Sequence, residues 1–112
     1  MLGEFEYVLI TAAAGLGENA YGVAIREEIE AAIKRKCSMG ALYTTMDRLE
    51  EKGLLKTWLG EATPQRGGRG KRMVRVTPQG ERAGKRSEYG QRVHWISAET
   101  VGLRRVSRRL AG

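Results

Sequence analysis

Several residue types that define whole classes of protein are nearly missing from this chain of 112 residues. It has one cysteine, Cys37, so no disulfide can form within it. It has one histidine, His94, and a metal site needing several Cys or His ligands is excluded on those counts. No apolar run approaches the roughly 20 residues that span a bilayer. The N-terminus lacks the basic segment and long apolar stretch of a signal peptide, and a cytoplasmic location is the default expectation. Proline occurs twice and phenylalanine once. No Ser/His/Asp set and no phosphate-binding glycine loop is present: GGRG at 67–70 lacks the GK[ST] ending. At this length a single chain buries a modest core without a deep cleft. We therefore expect no enzyme and no cofactor. Cys37 reads as a small, partly buried filler, with a redox sensor as the alternative.

What the chain does have is positive charge, unevenly spread. Net charge is +7. Residues 1–60 hold seven Lys or Arg against nine Asp or Glu, whereas residues 61–112 hold thirteen against four. Such asymmetry points to a polyanionic partner for one part of the molecule. Nucleic acid is the commonest, and an anionic membrane surface or a merely solubilising face are the alternatives.

The stretch Ser38 to Gly53, SMGALYTTMDRLEEKG, is the centre of the pattern. Ser38 suits an N-cap and Gly53 a left-handed stop. Leu42, Met46 and Leu49 recur on one helical face, leaving Gly40, Tyr43, Thr44, Asp47, Arg48 and Glu51 on the other. Before it, residues 4–16 read as a helix with an apolar stripe of Phe5, Val8, Leu9, Ala12 and Leu16. A second helix is expected from about Ala20 to Lys36, with Ile25, Ile29 and Ile33 facing inward. Its final Lys34-Arg35-Lys36 would complement the helix dipole. Three helices in this order, the last two closely joined, fit a helix-turn-helix.

After Gly53 the periodicity changes. Leu54 to Leu59 and Lys71 to Val76 read as two strands. GEATPQRGGRG between them makes a long glycine-rich loop studded with Arg66 and Arg69, followed by Lys71 and Arg72. Such a tip suits a wing lying along DNA, since arginine is favoured in narrow minor grooves; a plain basic loop is the bland alternative. Thr77 and Pro78 then start a helix. Gly80, Gly84, Gly90 and Gly102 weaken it. Tyr89, Val93, Ile96, Thr100, Leu103, Ser107 and Leu110 still alternate by four and three. That is a heptad-like seam, which suggests a second copy as partner; a tail folded back on its own core is the other reading.

Three stretches, AYGVAIREEIE at 20–30, SMGALYTTMDRLEEKGLL at 38–55 and RGGRGKRMVRVTPQG at 66–80, make the chain resemble the PadR family of bacterial transcriptional regulators. The resemblance implies a mainly α fold with a small β-hairpin. A winged helix-turn-helix would occupy residues 1–77, and a C-terminal dimerisation helix and basic tail residues 78–112. It implies a homodimer on a pseudo-palindromic operator in double-stranded DNA, usually acting as a repressor. Release by a small aromatic or hydrophobic effector is frequent in the family. The recognition helix would present Ser38, Gly40, Tyr43, Thr44 and Arg48, and the wing Arg66, Arg69, Lys71 and Arg72. Tyr89, Val93, Ile96 and Leu103 would form the dimer seam, with Trp95 beside an effector pocket. The contrasting reading is a non-specific nucleic-acid-binding or protein-interaction module without effector sensing.

Overall fold

The computed structural model describes residues 2–60 and 71–93, with the backbone alone at positions 92 and 93. The order is α1 (Glu4–Leu16), a 3-10 turn (Gly17–Asn19), α2 (Gly22–Ile33), α3 (Met39–Glu51), β1 (Leu55–Leu59), β2 (Arg72–Val76), α4 (Pro78–Arg86) and α5 (Glu88–Val93). β1 and β2 form an antiparallel pair in the register Leu55↔Val76, Thr57↔Val74, Leu59↔Arg72.

The core joins Leu9, Ile10 and Ala13 of α1 to Ile25 and Ile29 of α2 and Leu42, Met46 and Leu49 of α3. Leu54, Leu55 and Val74 close it from the hairpin side. The α3 stripe expected from spacing is the buried one. In α1 the most buried positions are Leu9 and Ile10, while Phe5, Val8, Ala12 and Leu16 lie at the margin. The cause is that α1 is enclosed by α2, β2, α4 and α5, so its apolar surface is wider than one stripe.

α2 is shorter at both ends than periodicity suggests. Lys34 adopts a left-handed conformation, φ 60°, and stops the helix at Ile33. The Cys37 amide donates to Glu30 Oε2 at 2.7 Å and fixes the turn that follows. At the other end Ala20 and Tyr21 stay extended. Tyr21 bridges Met73, and the Val74 amide donates to the Ala20 carbonyl at 2.8 Å, so the chain before α2 borders the hairpin. Cys37 is buried, and burial pushes its thiol up, with Glu30 adding to the effect against Arg26. The thiol stays protonated at neutral pH, as suits a filler.

α3 ends in a Schellman motif. Gly53 has φ 77°, its amide donates to the Glu50 carbonyl, and the Leu54 amide donates to Leu49. The Thr77 hydroxyl then ties this end to the next helix: it donates to the Gly53 carbonyl at 2.7 Å and accepts from the Gly80 amide at 3.0 Å. The helix expected to run on from Pro78 breaks at Ser87. The Ser87 hydroxyl donates to the Gly84 carbonyl and accepts from the Gly90 amide, and α5 turns back against α4 at Gly84 and Gly90.

Glu6 supplies a pH-dependent tie. Burial alone would raise its carboxyl. The Gly3 amide at 3.0 Å, Lys52 at 3.1 Å and the Arg48 charge outweigh burial and hold it below its ordinary value. The folded carboxylate thus resists protonation more than the unfolded one. Its stabilisation is complete above the ordinary carboxylate range and disappears as pH falls through the lowered value. Lys52 is partly exposed, so about 1 kcal/mol or less is at stake. Glu6→Gln should flatten the acid limb of the melting temperature against pH by lowering stability at neutral pH, by about 1 kcal/mol or less, toward what the protein retains in acid. An unchanged acid limb would place the acid sensitivity in other carboxylates.

Candidate nucleic-acid interface

The surface of α3 divides into three stripes at helical spacing. Leu42, Met46 and Leu49, with Thr45, enter the core. Tyr43, Asp47 and Glu50, at i, i+4 and i+7, face the hairpin, where Arg72 lies against all three. Gly40, Ala41, Thr44, Arg48 and Glu51 are exposed. At the head of the helix the Ser38 hydroxyl accepts from the Ala41 amide at 3.1 Å. Ser38 is exposed, and the exposed turn Lys34-Arg35-Lys36 precedes it closely. These cations lie beyond the end of α2 and outside its last turn.

Tyr43 is half-buried. Its hydroxyl lies 2.8 Å from the place a Cβ on Gly22 would occupy, so the missing side chain at 22 is what admits the phenol against α2. The Arg72 guanidinium stands 5.5 Å from the centre of the same ring. Arg72 Nη2 pairs with Asp47 Oδ1 at 2.5 Å and approaches Glu50 Oε1 at 3.9 Å. Glu50 Oε2 meanwhile accepts from both the amide and the hydroxyl of Thr57, each at 2.9 Å. Asp47 and Glu50 are therefore engaged with the hairpin, and Glu51 is the acidic residue left on the outward stripe beside Gly40, Ala41, Thr44 and Arg48. At the root of the hairpin loop Lys71 Nζ lies 4.1 Å over the Tyr21 ring.

Ser38, Gly40, Thr44 and Arg48 thus share an open face, and Lys71 and Arg72 flank it from the root of the hairpin loop. Arg66 and Arg69 lie outside the described residues, as do Trp95, Ile96 and Leu103. Tyr89, expected at a dimer seam, is half-buried with its ring 5.8 Å from Tyr7 of its own chain; Val93 ends α5. Sequence spacing alone missed the Arg72 cluster, the Glu50–Thr57 bonds and the Gly22–Tyr43 fit. The available signal was the Tyr43, Asp47, Glu50 stripe, which repeats beside the core stripe with the same period.

This arrangement is three helices and a hairpin with a solvent-facing third helix. The sequence profile described as the transcriptional regulator PadR-like family matches residues 13–86. The chain belongs to the PadR-like family. It is a transcription regulator and binds DNA, as that family does. Comparison with curated protein sequences gives no match. Solved structures show the same winged-helix fold at low identity. A PadR-like transcription factor from Bacteroides fragilis is 24% identical with a TM-score of 0.63, covering 80% of this chain and 81% of the other. A transcriptional regulator from Clostridium thermocellum is 21% identical with a TM-score of 0.61, over 83% and 90%. A PadR family transcription regulator from Clostridium difficile R20291 is 21% identical with a TM-score of 0.56, over 96% and 99%. The PadR match spans α2, α3, the hairpin and α4, which are the elements that build the open face. No helix among the described residues is long and apolar enough to cross a membrane.

Proposed function

We propose that the chain acts in the cytoplasm as a dimeric, sequence-specific repressor on a pseudo-palindromic operator. The observation that supports this best is the open stripe of α3, where Gly40, Ala41, Thr44 and Arg48 are exposed beside Glu51 while Asp47 and Glu50 are tied to the hairpin. A groove lined with base edges and phosphates accepts such a face. Ser38, Gly40, Thr44 and Arg48 form the recognition surface, and Tyr43, expected there from spacing, packs inward instead. Gly40 brings backbone close to the duplex, and nothing lies within 4 Å of where its Cβ would be. Thr44 and Arg48 read bases, while Tyr43, packed between Gly22 and Arg72, supports this face from behind. Lys34, Arg35 and Lys36 hold phosphate beside the start of the helix. Arg66, Arg69 and Lys71 form the wing contacts. Two copies joined through residues 78–112 would set the two recognition helices about 34–36 Å apart, one turn of DNA.

The decisive experiment is footprinting on the DNA upstream of the chain's own gene, with excess competitor. A protected two-fold site supports the proposal. Diffuse protection that fades with salt would favour non-specific phosphate binding instead. Thr44→Ala and Arg48→Ala should each relax the preference at particular base pairs, by about 1–3 kcal/mol per lost bidentate contact for Arg48. Intact specificity would remove α3 as the reading element.

Effector release belongs to the same proposal. Trp95 is the candidate aromatic beyond the described residues. A groove of about 450 Å³ at the back of the hairpin, with Trp58 on one wall and Ala13 and Ala14 on its floor, is a second place of suitable size. Repeating the footprint with planar aromatic compounds present, on the protein and on its Trp58→Phe and Trp95→Phe variants, assigns release to one ring or to neither.

A further inference from the structure

Arg72 was expected among the wing residues that touch DNA. We propose instead that it is a positioning residue, which neutralises the carboxylates of the recognition helix beside the duplex and locks the hairpin to that helix. This inference rests on the DNA-binding reading of α3.

The geometry is specific. Arg72 closes the β-pair opposite Leu59, on the sheet face that also presents Thr57 and turns toward α3. From there it spans a stripe of three residues on α3, over the Tyr43 ring, on Asp47 and near Glu50. A planar fork suits this task, because one edge can bond a carboxylate while the face stacks on an aromatic ring. The Arg72 side chain is 25% exposed, whereas that of Asp47 is 63% exposed. Asp47 is therefore the group that phosphates would meet, and Arg72 is the group that neutralises it from behind. A guanidinium already bonded to carboxylate gains little by leaving for a phosphate, since it exchanges one anion for another. Without Arg72, Asp47 would stand as an uncompensated negative charge beside Thr44 and Arg48, on a surface that approaches a polyanion.

The two roles differ in what they predict. A phosphate contact contributes counterion release, so its loss lowers the salt slope and depends little on Asp47. A positioning residue is coupled to the charge it masks. The test is a double-mutant cycle on the full chain: unaltered protein, Arg72→Ala, Asp47→Ala and the double variant. Binding is measured to calf-thymus DNA over a range of salt. Cooperative melting of each variant confirms that it is folded, and Arg72→Gln replaces Arg72→Ala throughout the cycle if the alanine variant does not fold.

Arg72→Ala should weaken binding about tenfold in the unaltered background and less than about twofold when Asp47 is already alanine. The salt slope should stay at the value of the unaltered protein. Arg72→Lys keeps the charge but loses the fork that bonds Asp47 while stacking on Tyr43, and should recover only part of the loss, with the salt slope unchanged. An equal loss in both backgrounds, or a slope lower by about one for each copy with lysine restoring it, makes Arg72 a phosphate contact and overturns the proposal. If the unaltered protein binds no DNA, the functional reading of α3 fails with it, and that outcome is distinct from either result of the cycle.

Discussion

Arg66→Ala/Arg69→Ala should lower affinity for DNA of any sequence by two to three orders of magnitude near physiological salt. The argument is electrostatic. Each phosphate neutralised by a cation releases condensed counterions, and contributes about −0.9 to the slope of log affinity against log salt. Two arginines in each of two copies make four such contacts, so the slope should flatten by about 3 to 4. Residues 1–60 are acidic in sum, and on the proposed wing contact the loop arginines would offset them against the backbone of the duplex. Because these contacts touch phosphate, loss should be nearly the same on operator and on unrelated DNA, leaving the specificity ratio in place. Fluorescence anisotropy on both duplexes across a salt series measures slope and ratio together. A specificity ratio that collapses while the slope holds would make the loop a reader of bases. Binding unchanged in both respects would remove the wing from the mechanism.

Gly80→Ala should cost about 3 kcal/mol or more and lower the melting temperature by roughly 10–20 °C. The added Cβ would fall 2.1 Å from the Leu54 carbonyl oxygen and 2.9 Å from Val76 Cγ1. A backbone oxygen cannot swing aside as a side-chain tip can. Relief requires α4 to retreat from the hairpin, which would break the bonds of Thr77 to Gly53 and Leu54. Gly40→Ala is the matched control. It too exchanges glycine for alanine in a helix, but in open space, and its stability should hold or rise by a few tenths of a kcal/mol. Thermal melts of the two variants beside the unaltered protein give the comparison. Equal melting temperatures would mean that α4 has slack at this corner.

The same pair of glycines shows what could be read from residues alone. Ser38, Gly53, Thr77 and Pro78 act through bonds to residues three to five positions away or through their own backbone preference, so their roles in capping and turning were legible. So was the Leu42, Met46, Leu49 stripe, because a period of 3.6 is a local property. The Arg72 cluster was not, since it joins residues 25 apart in sequence across a hairpin. Spacing placed Tyr43 on the outward face, yet it packs inward because Gly22, on another helix, leaves room for it. The break at Ser87 was hidden for a related reason: a buried hydroxyl bonded on both sides ends α4, in a stretch whose glycines had signalled only weak helix. Lys34 misled in the opposite sense, because lysine rarely takes a left-handed conformation and gives no warning of a helix stop.

The Thr77 hydroxyl, bonded at once to the last turn of α3 and the first turn of α4, makes a mechanical pivot. The two helix ends cannot be displaced independently without losing one of its two bonds. α3 has 13 residues and therefore a length of about 20 Å. A tilt of 10° about this pivot would carry the far end of α3, where Ser38 and Gly40 lie, through about 3.4 Å, the rise of one base step. On the proposed reading of α3, whatever leans on α4 thus has leverage over which base pair its head meets.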